Sequence, residues 1–204
     1  MLELLLELAG RAFSIFLPAL PFLGAWFLLL RVKRKTQSAA HLLLTLLYGL
    51  YLSGVLAVTG IGRPFGFRPR FNFLPFVDMI KGPIDTALNV LLFLPLGVLL
   101  PLLYAEFENA KKTLLAACIL SFSIECIQMF GLGMFGLGIT DVNDLLTNTA
   151  GAMLGFALSK TRRAMIPADR KKKLQAAAFP GTWEAALLAV IMILCALCFT
   201  PAWR

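Results

Sequence analysis

Apolar runs of about 20 residues recur along the whole chain, with only short polar stretches between them. A helix of that length crosses roughly 30 Å of hydrocarbon, so each run is long enough to span a membrane. The composition agrees, because 59% of the residues are hydrophobic, 15% are charged and the mean hydropathy is +0.83. We therefore predict an all-α, polytopic integral membrane bundle of about six transmembrane helices, forming one membrane domain over residues 1–204.

The spacing of the apolar runs sets the predicted order of helices. The last helix, 183–204, follows a basic loop at 160–182, and Pro18 and Pro21 are expected to kink the first helix. The six predicted segments cover residues 12–30, 40–60, 88–105, 113–130, 142–159 and 183–200.

The basic residues predict how the chain is oriented. The formal charge is +8, but the cations lie in short loops between apolar runs, which excludes nucleic acid as a partner and makes membrane lipids the expected one. Loops rich in Lys and Arg face the cytoplasm. In a bacterial-type cytoplasmic membrane, both termini and the loops 61–87 and 131–140 then face outward. Thirteen of the nineteen basic residues lie in the predicted cytoplasmic loops: Arg31, Lys33, Arg34, Lys35, Lys111, Lys112, Lys160, Arg162, Arg163, Arg170, Lys171, Lys172 and Lys173.

Polar side chains in the third, fourth and fifth helices fall at similar depths. At 1.5 Å per residue from the cytoplasmic ends, Glu125 lies about 20 Å and Asn148 about 18 Å along its helix. The same count places Gln128 and Asp144 at about 24 Å and Asn89 at about 26 Å. These side chains are therefore predicted to converge in the outer half of the bilayer.

The fifth helix gathers its polar residues on one face. Asp141, Asp144, Asn148, Gly151 and Gly155 fall within about 80° of one another on a helical wheel. The two glycines allow close approach of a neighbouring helix, and exposing a carboxylate to lipid costs at least about 2.5 kcal/mol. We expect this face to look into the bundle.

Each polar residue also has a purely structural interpretation. Asp141 can cap the fifth helix, and Asn89 and Asn148 can be hydrogen-bonding contacts between helices. Glu125 is harder to explain in this way, because no basic residue lies near it in its own segment. His41, beside a basic loop, is expected at the membrane interface rather than in a ligand set.

The outer loop at 61–87 carries cations among aromatic residues and prolines. One interpretation is an aromatic belt with cations at the headgroup level. The other is that Arg63, Arg68, Arg70 and Lys81 neutralise the acidic residues or receive an anionic group such as a phosphate.

Nucleotide and metal motifs are absent from the sequence. The glycine-rich 131–140 stretch lacks the features of a phosphate-binding loop, and no HExxH or Cys/His ligand set occurs. We therefore predict no metal site, and the sequence requires no cofactor.

Four ordered motifs resemble those of the VanZ-like membrane proteins: NFLPF at 72–76, NVLLFLPLG at 89–97, SFSIECIQ at 121–128 and TDVNDLLTNTAGAMLG at 140–155. The resemblance covers about residues 40–160, the expected family core. One departure is Gly138, where family members often carry a basic residue. The family pattern maps onto Asn72, Pro75, Asn89, Pro95, Gly97, Glu125, Gln128, Asp141, Asp144, Asn148, Gly151 and Gly155.

The resemblance implies a role without a mechanism. The member that names the family is associated with resistance to the glycopeptide antibiotic teicoplanin, which acts outside the membrane. An outward-facing polar cavity is compatible with that role. We expect it to bind an envelope lipid, a lipid-linked cell-wall precursor or a lipoglycopeptide, through Asn89, Glu125, Gln128, Asp141, Asp144, Asn148, Arg68 and Arg70.

Three alternatives remain open. A membrane-embedded enzyme acting on a lipid-linked substrate could use Glu125, Asp141 and Asp144 as catalytic groups. A small transporter could use the same carboxylates along an ion path. A purely structural bundle would use them for packing alone.

Overall fold

The computed structural model describes residues 2–32, 38–59, 70–76, 82–128, 139–175 and 180–199. Six long helices lie in the predicted order, joined by one short helix and one pair of short strands. The elements are α1 (Leu2–Val32), α2 (Ala39–Val58), β1 (Arg70–Asn72), α3 (Pro83–Leu103), α4 (Ala110–Ile127), β2 (Ile139–Asp141), α5 (Val142–Ala164), α6 (Ala168–Leu174) and α7 (Gly181–Phe199).

The all-α membrane bundle predicted from the sequence is confirmed. Within the described ranges, four helices are long and apolar enough to cross a membrane: Leu5–Leu28, Ala39–Val58, Pro83–Leu103 and Gly181–Cys198. The other two long helices are more polar. In α4, three of the 18 residues are charged (Lys111, Lys112 and Glu125), and the first turns of α5 carry Asn143 and Asp144. That α4 and α5 also cross the membrane stays a prediction.

Helix α1 is longer than the predicted segment at 12–30. It begins at Leu2 and continues through Pro18 and Pro21 to Val32. Ile15, Ala19 and Leu23 are buried, at four-residue spacing, whereas Leu2, Leu5 and Leu6 are largely exposed. This helix packs on α2 and α7 through one face, which is apolar except for the buried Arg11, and most of its other side chains are more exposed.

Helices α3 and α5 form the most extensive helix–helix contact and run in the same direction. A Cβ atom at Gly151 would overlap the carbonyl oxygen of Val90, and one at Gly155 would overlap that of Leu94. The GxxxG face of α5 therefore lets the two backbones touch, as the sequence predicted for this face. A Cβ at Gly97 would likewise overlap the carbonyl oxygen of Ala152.

The parallel strand pair was not predicted. Strands β1 and β2 have three residues each, with Arg70 opposite Ile139, Phe71 opposite Thr140 and Asn72 opposite Asp141. Neither segment is long enough to show the alternating pattern that indicates a strand. The pair joins the chain ahead of α3 to the chain just ahead of α5.

The opposite end of the bundle is closed by a 3-10 turn at Ala105–Glu108 and by α6. Lys171 Nζ lies 2.7 Å from Glu108 Oε2, and Gln175 Nε2 donates to Glu108 Oε1 at 2.6 Å. The predicted basic loop at 160–182 is therefore partly helical, and this short helix is tied to the turn between α3 and α4.

His41 lies inside this end of the bundle, and its location at the depth of the membrane interface stays a prediction. Its side chain is fully buried, with Nδ1 2.7 Å from the Leu174 carbonyl oxygen and Nε2 3.6 Å from Glu184 Oε2. A buried imidazole needs polar partners, and the C-terminal end of α6 and the first turn of α7 provide them.

Candidate functional site

The start of α5 is organised around Asp141. This residue is the N-cap, in an extended conformation (φ −112°, ψ 121°), and its Oδ1 accepts the Asn143 backbone N–H at 2.8 Å. The other carboxylate oxygen, Oδ2, accepts from Asn72 Nδ2 at 3.0 Å. The capping role considered for Asp141 is therefore present, and the same side chain also joins α5 to β1.

Glu125, near the end of α4, reaches this helix start from the other side. Its side chain is 2% exposed, and Oε2 accepts the Asp141 backbone N–H at 3.0 Å. A carboxylate so deeply buried needs such donors, since an unmatched buried charge is costly. Glu125 therefore points into the bundle and not toward lipid.

Asp144 is held from α3. Asn89 Nδ2 donates to Asp144 Oδ1 at 2.6 Å. This hydrogen bond lies closer to the start of both helices than the contact between Val90 and Gly151. Both side chains are partly exposed. This hydrogen bond joins α3 and α5 at the end of their contact nearest the start of both helices.

Asn148 lies one turn further along α5 and is buried. Its Nδ2 donates to Ser121 Oγ on α4 at 3.0 Å, whereas its Oδ1 has no hydrogen-bond partner among the described residues. A buried amide oxygen without a partner is uncommon, because almost all such atoms are paired with protein or water. Among the described parts of the chain, this oxygen is therefore an unused acceptor near the carboxylates.

Sequence reasoning missed Asn143. This residue is 4% exposed; its Oδ1 accepts the Phe76 backbone N–H at 2.7 Å and its Nδ2 donates to the Leu74 carbonyl oxygen at 3.1 Å. It fixes the 74–76 segment, in which Phe76 has a left-handed φ of 69°. Two features of the sequence could have indicated Asn143: its position between two aspartates at the start of a helix, and the NFLPF motif.

The structure does not bring every predicted site residue into this group. Gln128 Nε2 donates instead to the Thr59 carbonyl oxygen at 3.1 Å, which joins the end of α4 to the end of α2. Arg68, Arg63 and Lys81 lie outside the described residues, and Arg70 is described only by its backbone in β1.

The acidic cluster, defined as Glu125, Asp141 and Asp144, is held mainly by amides. Within the described parts of the chain, neither Asp141 nor Asp144 forms an ion pair with Lys or Arg. Hydrogen bonds from Asn72, Asn89 and the backbone carry much of the stabilisation of these carboxylates. The described residues also contain no group of three or more His, Cys, Asp or Glu that could hold a metal ion.

A family model described as VanZ/LLP1 matches residues 48–163, more than half of the chain. The chain belongs to the VanZ/LLP1 family. This confirms the resemblance carried by the four motifs. The matched region begins in α2 and ends in α5, so it contains the strand pair, the α3–α5 contact and the whole acidic cluster.

The chain is also similar to Protein VanZ from Enterococcus faecium. The two sequences are 37% identical over 97 residues, which are 46% of this chain and 55% of that relative. The chain thus spans little more than half the length of this relative. No solved structure matches the chain.

Proposed function

We propose that this protein binds an amphiphile of the cell envelope at the acidic cluster and contributes to resistance against teicoplanin-type glycopeptides. The ligand is an envelope lipid, a lipid-linked cell-wall precursor or a lipoglycopeptide. The proposal draws on membership of the VanZ/LLP1 family and on the arrangement of carboxylates and amides at the start of α5.

The observation that carries the proposal is a gradation from accessible to buried across the acidic cluster and its two neighbouring asparagines. Asn89, Asp141 and Asp144 are partly exposed, whereas Glu125 and Asn148 are buried beneath them. A ligand could meet acceptors at the rim and the open Asn148 Oδ1 below. Such a site favours ligands rich in ammonium, hydroxyl or amide donors.

Orientation supports a ligand that arrives from outside the cell. The basic residues near Lys112 and in α6 lie at the opposite ends of α4 and α5 from the acidic cluster. By the positive-inside rule those ends face the cytoplasm, so the cluster faces outward in a cytoplasmic membrane. Teicoplanin and lipid-linked precursors are encountered on that face.

The test is saturable binding of radiolabelled teicoplanin and of a radiolabelled lipid-linked precursor to purified protein. Glu125→Gln and Asp144→Asn each keep the side-chain shape but replace the carboxyl group by an amide, and we expect each to weaken binding of one of these ligands by about tenfold. Asp169→Asn on exposed α6 is the matched control and should bind like the wild type. Wild-type affinity for both ligands in both cluster variants would contradict the proposal.

The same variants, studied with further measurements, separate the alternatives. A chemically altered precursor, formed by the wild type and not by Glu125→Gln, would favour an enzyme that uses Glu125 as general acid or base. Counterflow of a labelled solute in sealed vesicles would favour a small transporter. Unchanged function with reduced thermal stability in both variants would favour a structural role.

A further inference from the structure

A cavity lies between α4 and α7. Its volume is about 470 Å³, within the range of roughly 300–1,000 Å³ that is usual for ligand pockets. Its floor consists of residues of α2 and α3 that are at most 3% exposed: Tyr48, Leu96 and Leu100. We call this cavity the α4–α7 groove.

The groove opens sideways. Along its rim, Leu115 and Ile119 of α4 are 60% and 57% exposed, and Val190 of α7 is 51% exposed. In a bundle surrounded by lipid, such residues face acyl chains. The opening is therefore toward the membrane and not toward water.

The length of the groove matches one leaflet. Its lining runs from Lys112 to Ser123 on α4 and from Thr182 to Ile193 on α7. Eleven helical steps of 1.5 Å give about 16 Å on each side, about half of a hydrocarbon layer roughly 30 Å thick. The two helices begin side by side, since the Gly181 N–H donates to Glu106 Oε1 at 2.9 Å in the turn before α4.

The polarity of the groove changes along this length. Lys112 is the one charged lining residue among the described part of the chain, and it lies with Thr182 at the end where both helices begin. Apart from Ser123, the remaining lining is apolar or aromatic, with small residues such as Ala116 and Ala189. An amphiphile with an anionic headgroup and an acyl chain has the complementary distribution.

We propose that the α4–α7 groove binds an acyl chain of an anionic phospholipid, whose phosphate is held near Lys112. The lipid comes from the leaflet on the side of the basic loops. Ser123, at the other end of the lining, is only two residues from Glu125, but two residues on a helix point about 200° apart, so the groove and the acidic cluster lie on different faces of α4. The proposal does not depend on the function proposed for the cluster.

The experiment uses the full chain in vesicles that contain either spin-labelled phosphatidylglycerol or spin-labelled phosphatidylcholine. The wild type should immobilise phosphatidylglycerol in preference to phosphatidylcholine. Lys112→Gln should reduce that preference by about fivefold, the effect expected of one cation at an anionic headgroup. Lys160→Gln, at the same end of α5 and also exposed, is the matched control and should keep the preference.

A second variant tests the acyl-chain part. Ala189→Phe fills the groove and should lower the immobilised fraction of both lipids, and Ala186→Phe at the exposed rim should do the same if Ala189→Phe does not fold. Ala157→Phe, on an exposed position of α5, is the volume-matched control.

Three results would overturn the proposal. One is that Ala189→Phe and Ala186→Phe immobilise the same fraction of spin-labelled lipid as Ala157→Phe does. Another is an equal preference for the two lipids in the wild type. The third is a wild type that proves to be a dimer and becomes a monomer in Ala189→Phe with unchanged lipid binding, which would assign the groove to a second copy of the chain.

Discussion

Asparagines hold the carboxylates at the start of α5. Asn72 donates to Asp141 and Asn89 donates to Asp144, while Asn143 binds both the cap and the 74–76 segment. Amide donors occupy some acceptor positions of a carboxylate and leave others available. A Lys or Arg in those places would have closed the site with an ion pair. This choice of side chain is what makes the cluster a candidate for ligand binding.

Glu108 provides a prediction at the residue scale, at the opposite end of the bundle. Burial raises its pKa, but hydrogen bonds from Lys171 and Gln175, together with the charges of Lys171 and Arg163, outweigh this and leave the pKa below the ordinary 4.5. A carboxylate with a lowered pKa stabilises the folded state fully above pH 4.5, and this contribution is lost as the pH falls through the lowered value.

The measurement is the thermal midpoint of wild type and Glu108→Gln between pH 3 and pH 7. The wild type should be the more stable near pH 7, by at most about 1 kcal/mol because the pair is partly exposed, and the difference should shrink below pH 4.5. Asp169→Asn serves as control. A constant difference at all pH values would show that the carboxylate charge contributes nothing.

At the scale of elements, hydropathy alone predicted the six long helices, because apolar runs of this length have few other structures available. The shared face of Asp144, Gly151 and Gly155 also predicted a close helix contact. The partner of that contact could not be read from one sequence, since several helices lie at the same depth. The strands escaped prediction because three residues show no period, and α6 because its seven residues read as a charge run.

The α3–α5 contact gives a prediction at this scale. Gly151→Ala and Gly155→Ala each place a methyl group against a backbone carbonyl that cannot turn away, so each should destabilise the protein by about 1–3 kcal/mol. Gly54→Ala is the matched control, because a Cβ at this helical glycine meets nothing within 4 Å. There the loss of backbone freedom in the unfolded chain should leave stability equal or about 0.5–1 kcal/mol higher.

Unfolding in detergent, followed by circular dichroism, checks this ranking. Equal stability of Gly151→Ala, Gly155→Ala and Gly54→Ala would mean that the helices have room to separate and that the backbone contact is not tight.

At the scale of the whole molecule, two groups of helices meet around one buried core. Helices α1, α2 and α7 pack together, and α3, α4 and α5 surround the acidic cluster and contain most of the family-matched region. The cluster and the basic α6 lie at opposite ends of α5. This asymmetry of charge is what the positive-inside rule uses to orient a bundle.

Orientation is tested by labelling single cysteines. In a chain whose four native cysteines are replaced by alanine, Leu74→Cys lies in an exposed segment beside the acidic cluster, and Ala168→Cys lies on exposed α6. An impermeant maleimide should label the first in intact cells and the second only in inverted vesicles. The reverse pattern would place the acidic cluster on the cytoplasmic side and contradict the proposed ligand classes.

The touching backbones of α3 and α5 also limit how anything could move through the protein. With Val90 against Gly151 and Leu94 against Gly155, the seam between these helices has no gap wide enough for water or an ion. The line between α3 and α5 is therefore not a route across the membrane for water or ions.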